Sequence, residues 1–260
     1  MSLAPSLRST LALSLFILGA HGAAAAPDGA TVTVNAGAAY VSDYAGSSER
    51  RVRPVIAVDY QNASGFFAGT GRGIGYVTVL DGFKLSGALA YDAGRGDSER
   101  TFGAGSDALR GMGTISGSAV ASLGAGYDFG FLQLGLNTHL ALSKRERGNT
   151  LQLSASVPLL TTASDKVSLG LTAKYGDAKN NQTFYGVTAA QSARSGYRAY
   201  QAGSGFESTQ LGVNWHHAID PHWSINTLAG VTHLVGDAAS SPLTKRTTAP
   251  VLVLTAGYTF

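Results

Sequence analysis

Cysteine is absent from the 260-residue chain, which excludes disulfides, thiolate metal sites and cysteine nucleophiles. Charge is scarce as well: at 13% the charged residues reach about half of the ~25% usual in a soluble domain, too few to solvate a whole surface. The formal net charge of +3 is small and its basic residues are scattered, so nucleic acid is not indicated as a partner. Beyond the first 20 residues no apolar run approaches the ~20 that a membrane-spanning helix needs. Hydrophobic residues at 44% and aromatics at 9% nevertheless argue against a disordered chain. In excess is glycine, 34 residues, roughly 13% against a usual ~7%.

The amino-terminal residues read as an export signal. Arg8 supplies the positive start, residues 11–20 the apolar core, and residues 23–26 small cleavage positions. Cleavage after Ala25 divides the chain into a signal peptide, 1–25, and a single domain, 26–260, exported by the Sec route. The apolar core is half the length of a membrane anchor.

The rest of the chain alternates. Val167, Leu169, Leu171, Ala173 and Tyr175 share one face, and Ser168, Gly170, Thr172 and Lys174 the other, which is the period of a strand. The same holds for Leu134, Leu136 and Leu140 against Gly135, Asn137 and His139, and for Phe83, Leu85, Leu89 and Tyr91 against Lys84, Ser86 and Asp92. Turn chemistry separates the runs at Asp81-Gly82, Asp128-Phe129-Gly130, Ser164-Asp165 and Asp220-Pro221. Longer polar stretches near 43–51, 94–114, 176–206 and 236–248 alternate with these short turns, so long loops gather at one end and short turns at the other. Scarce charge, alternation and unequal ends predict an all-β fold, an antiparallel transmembrane β-barrel facing outer-membrane lipid. Strand starts fall near 31, 52, 65, 83, 117, 131, 149, 166, 206, 222 and 249. Both termini belong on the periplasmic side, so the number is even: splitting 65–80 at the glycines of 69–75 gives twelve strands, and losing a weak segment gives ten. Gly and Ala on inward positions then keep a narrow lumen from overfilling.

Inward polar positions make Arg53, Asp59, Lys84, Asp92, His139 and Lys174 the lumen-lining candidates. Tyr258 and Phe260 lie on the lipid-facing register of the last strand, a pattern similar to the signal that the barrel assembly machinery reads in bacterial outer-membrane proteins. In the 176–206 loop, Tyr185, Arg194, Tyr197, Arg198 and Tyr200 either pack the loop on itself or present a recognition surface, since Tyr and Arg are favoured binding anchors. No catalytic, cofactor or metal residues are assigned. His139 and His216 have no sequence-adjacent acid, and the two rings of His216-His217 point opposite ways on a strand.

Five ordered blocks carry a specific resemblance. They are Asp43-Tyr44 with Gly46-Ser47 and Arg51-Val52-Arg53-Pro54; the run from Gly71 to Tyr76; Leu109-Arg110-Gly111-Met112-Gly113; Phe184-Tyr185-Gly186-Val187-Thr188 continuing to Gly205; and Gly236-Asp237-Ala238-Ala239 with Ser241-Pro242. Together they resemble the MipA/OmpV family of outer-membrane proteins, departing from it at Ala45 and Thr114, where acids are common. The resemblance implies localisation in a Gram-negative outer membrane and a non-enzymatic scaffold that brings a murein lytic transglycosylase to a murein synthase. Uptake of small solutes or antibiotics through a narrow channel, and surface adhesion, are the alternatives it leaves open. Long loops are expected outside the cell while murein lies in the periplasm, so a scaffold would have to use the short turns.

Overall fold

The computed structural model describes residues 29–260; the expected signal peptide lies outside the described residues. In chain order the strands are β1 (Thr31–Ser42), β2 (Arg50–Gln61), β3 (Phe66–Gly69), β4 (Gly73–Leu80), β5 (Phe83–Asp92), β6 (Arg95–Gly96), β7 (Ala104–Gly105), β8 (Ser118–Asp128), β9 (Gln133–Ala141), β10 (Thr150–Thr161), β11 (Asp165–Gly176), β12 (Gly205–Ala218), β13 (Trp223–Leu234) and β14 (Thr248–Thr259). All but β6 and β7 close into one antiparallel barrel of twelve strands, and β6 and β7 pair in parallel on their own. The even count holds because the 65–80 segment breaks at residues 70–72 into β3 and β4.

Alternation becomes two faces. Leu89, Leu123, Leu136, Leu171, Leu211 and Leu254 lie exposed on the outside, where lipid covers them. Inside, glycines meet across the wall: Gly170 pairs with Gly212, and Gly212 with Gly230. A Cβ on Gly230 would lie 2.5 Å from the Leu211 carbonyl, so a side chain there would force the wall to shift. The barrel closes between β1 and β14, with Gly37 opposite Thr255.

The turns after β2, β4, β8, β10 and β12 are short and lie at the end that holds Thr31 and Thr259; Asp81 and Gly82 (φ 49° and 82°) make the tight β4–β5 hairpin that Asp-Gly favours. The opposite end carries the segments 43–49, 93–117, 142–149, 177–204 and 235–247. Aromatic rings gather at the short-turn end: Phe83 and Tyr127 lie 4.8 Å apart, Tyr127 and Phe129 4.6 Å, Trp223 and Tyr258 4.9 Å, and Tyr258 and Phe260 4.8 Å. Such a girdle marks a membrane interface, and short turns mark the periplasmic one.

One stretch of wall is incomplete. β3 covers only Asp59, Tyr60 and Gln61 of β2. Val58 is then completed by Thr70, whose backbone N–H reaches its carbonyl at 2.9 Å and whose Oγ1 accepts its N–H at 3.1 Å. Ile56, Pro54 and Val52 turn their backbone the same way, and among the described residues no strand pairs with them there. Proline stands on that free edge, where its missing N–H removes an unpaired donor and blunts the edge against strand addition.

Candidate functional site

Loops that emerge from the barrel rim do not float. Helix α1 (Ala178–Tyr185) starts because the Asp177 side chain accepts the Asn180 N–H, and α2 (Ala189–Ser195) because Thr188 and Gln191 exchange side-chain and backbone bonds in a capping box, with Gly196 ending it in the left-handed region. A third short helix, α3 (Gly236–Ser240), begins the last long loop. These elements bury a small core: Tyr44, Leu109, Met112, Val187 and Leu243 form one cluster, and Tyr185, Ala202, Leu234 and Ala238 another, with Tyr200 packed against both.

Hydrogen bonds stitch the same segments together. Tyr44 Oη donates to the Leu243 carbonyl (3.0 Å), Tyr197 Oη to Ala108 (2.8 Å), Tyr200 Oη to Asp237 (3.0 Å) and Ser241 Oγ to Tyr185 (2.6 Å). Arg95 is buried at the centre: its Nη1 donates to the Phe184 carbonyl at 2.6 Å and its guanidinium stands about 6 Å from the rings of Tyr44 and Phe184. Burial lowers its pKa to about 10, which leaves it cationic at neutral pH. Burial also pushes the Tyr44 phenol up to about 12 and raises those of Tyr185, Tyr197 and Tyr200. The result is a folded cap over the loop end of the barrel. Four of the five sequence blocks that carry the family resemblance supply its residues, among them Asp43, Tyr44, Arg53, Leu109, Met112, Tyr185, Val187, Ala238 and Ser241.

Beneath the cap four inward charges of the barrel meet counter-charges. Arg53 pairs with Asp43 (3.1 Å) and donates to the Arg100 and Gly103 carbonyls, which ties the 93–117 loop to the inside of β2. Asp59 pairs with Arg72, Asp92 with Arg147 (2.6 Å) and Lys174 with Glu207 (2.7 Å), whose other oxygen accepts from Asn180 of α1 (2.9 Å). All six lumen-lining candidates project inward. Four of them, Arg53, Asp59, Asp92 and Lys174, belong to these pairs; Lys84 forms no ion pair among the described residues. The partners Asp43, Arg72, Arg147 and Glu207 escape a local reading because they come from loops, from the far end of a turn or from another strand. A buried inward charge does signal that some partner must exist.

Of the loop residues with binding chemistry, Tyr185 is buried, Tyr197 and Tyr200 are bonded as above, and Arg194 Nε donates to the Gly111 carbonyl at 3.2 Å. Arg198 is exposed. The loop therefore packs on itself and on its neighbours. At the periplasmic end, Phe260 is 71% exposed, and its backbone N–H donates to the Val32 carbonyl at 3.0 Å, so it continues the β14–β1 ladder.

A histidine–carboxylate pair arises that sequence adjacency does not show: His217 Nδ1 lies 2.8 Å from Asp165 Oδ1, 52 residues away in the chain. Ser164 is beside it, but its hydroxyl donates to Asp165 Oδ2 (2.6 Å) and Trp215 Nε1 donates to Oδ1 (2.9 Å). A nucleophilic serine must bond the imidazole rather than the acid, so this set orients Trp215 and His217 at the girdle and activates no hydroxyl. His216 Nδ1 bonds Asn226, and His222 Nδ1 lies 2.8 Å from the Thr259 carbonyl. Among the described residues no group of three or more acid or histidine side chains could hold a metal ion.

A family model described as MltA-interacting protein MipA matches residues 34–260. No curated protein sequence matches the chain. Among solved structures, the KdgM porin is 11% identical, with 88% of this chain and 99% of that chain covered and a TM-score of 0.46. The NanC porin is 8% identical, with coverages of 86% and 98% and a TM-score of 0.44. At that distance neither says what this barrel does.

Proposed function

Because this chain belongs to the MltA-interacting protein MipA family, we propose that it is a non-enzymatic scaffold of the outer membrane that holds a murein lytic transglycosylase, and with it a murein synthase, at the periplasmic face. The family match over 34–260 carries the reading. The division of the barrel supports it: Tyr44, Arg95, Tyr185, Tyr197 and Tyr200 of the long loops are engaged in the cap, whereas Phe129, Phe131 and Ile219 of the periplasmic turns, with Trp223 at the start of β13, are exposed. Residues 1–25 are the export signal on this reading, and Tyr258 and Phe260 the feature by which the barrel assembly machinery takes up the chain.

The test is binding of a purified lytic transglycosylase to the full barrel in lipid nanodiscs, where both faces are accessible. Saturable binding, with recruitment of a murein synthase only when the transglycosylase is present, is expected. A partner that fails to bind the folded barrel overturns the reading.

A second reading, a narrow passage for small solutes, is favoured by Lys84, an inward cation outside the ion pairs of the lumen. Steady conductance steps in planar bilayers that change on Lys84→Glu would support it, and electrical silence would oppose it.

A further inference from the structure

At the outer end, beside the cap, a cleft of about 910 Å³ opens between the β9–β10 loop and α1. This falls within the range of about 300–1,000 Å³ typical of small-molecule sites. Its walls are fixed. Thr183 Oγ1 donates to the Glu146 carbonyl at 3.0 Å, joining α1 to the β9–β10 loop. Gln182 Oε1 accepts the Ala202 N–H at 2.8 Å, and Val187 and Tyr200 exchange backbone bonds of 2.8 Å each way. Asp177 is fully used, capping α1 with one oxygen and accepting from Asn149 with the other.

The groups left over define the ligand. Arg145 and Lys179 line both the cleft and an adjoining recess of about 330 Å³, and neither belongs to an ion pair among the described residues. The Glu146 carboxylate and the Gln201 amide also line the cleft, and among the described residues neither has a side-chain partner. Of its small apolar lining residues Ala199 is exposed, while Val187 and Ala202 are buried behind it. We propose that this cleft binds an acidic saccharide. Its carboxylate or phosphate lies against Arg145 and Lys179, its hydroxyls donate to Glu146 and to the Gln201 carbonyl, and one ring face rests on Ala199. A plain inorganic anion would leave Glu146 opposed and the Gln201 amide without a hydroxyl, and a neutral sugar would leave the two cations unmatched. The site lies at the opposite end of the barrel from the scaffold turns and does not depend on that reading.

Acidic sugars reach this face from two sources, free oligosaccharide in the medium and the phosphorylated core of neighbouring lipopolysaccharide. Calorimetric titration of the detergent-folded full barrel with a mannuronate trisaccharide, with delipidated lipopolysaccharide core oligosaccharide and with neutral maltotriose separates them. At least one acidic saccharide should bind about tenfold or more tightly than maltotriose, and Arg145→Gln with Lys179→Gln should remove that preference while heat-modifiable migration stays intact. Binding of the mannuronate identifies the free source, and binding of the core alone identifies the membrane source. Failure of both acids to bind, equal binding of maltotriose, or an unchanged preference in the double variant overturns the proposal.

Discussion

Asp43 and Arg53 form an ion pair sealed between the barrel wall and the cap, Oδ1 to Nη2 at 3.1 Å, with side chains 0% and 4% exposed. Asp43 also accepts from Arg51 Nε at 2.5 Å, so one carboxylate holds two guanidiniums. Removing it leaves Arg53 buried without a counter-charge. Asp43→Asn should therefore cost about 3–5 kcal/mol in urea unfolding from lipid vesicles, whereas Asp107→Asn, in the exposed pair with Arg110, should cost at most about 1 kcal/mol. Equal small losses would mean that water reaches Arg53.

The lipid face is tested on two adjacent residues. Leu171 points outward and Thr172 inward, so Leu171→Arg should destabilise by about 2–4 kcal/mol near mid-membrane and Thr172→Arg by much less, in the same unfolding assay.

High pH should loosen the cap. Burial raises Tyr44 from the ordinary 10 to about 12, because the folded cap disfavours the phenolate. A raised pKa contributes stability that is whole below pH 10 and is lost as the pH climbs through 12. Proteolytic cleavage in residues 189–198 should accelerate across that window. Tyr44→Phe, which gives up the bond to Leu243 but cannot ionise, should make the acceleration shallower. An identical pH profile in the variant would place the titration elsewhere in the cap.

Much of the barrel is legible in the sequence because strand alternation is a local property. Observed strands begin within about two residues of the expected starts, and the glycines of 69–75 mark the break that makes the count twelve. The β9–β10 loop, residues 142–149, is not among the expected long loops because it is short and lies between two alternating runs. The three helices are missed because they are short, polar and held by caps and loop packing. The cap itself depends on contacts such as Arg95 with Phe184, 89 residues apart, and no periodicity records those. For the same reason the inward faces of Arg53, Asp92 and Lys174 can be read while their partners Asp43, Arg147 and Glu207 cannot.

Phe260 separates assembly from stability. If its ring is read during insertion, Phe260→Asp should leave the chain unassembled in the periplasm, while Thr259→Ser, on the lumen face, should insert normally. As a mere lipid contact the ring would be worth at most about 1.5–3 kcal/mol. Insertion at the wild-type rate with only a lowered unfolding temperature would therefore contradict the assembly role.

The scaffold account makes its sharpest claim about which end of the barrel is engaged. Interferometry of a purified lytic transglycosylase on nanodisc-held barrel can compare Phe129→Ser with Phe131→Ser in the β8–β9 turn against Arg194→Ala with Arg198→Ala at the outer surface. The account predicts binding weakened about tenfold or more, about 1.4 kcal/mol, by the turn substitutions and unchanged by the outer ones. Binding that is absent in the unaltered barrel, or that is lost only with the outer pair, would contradict it.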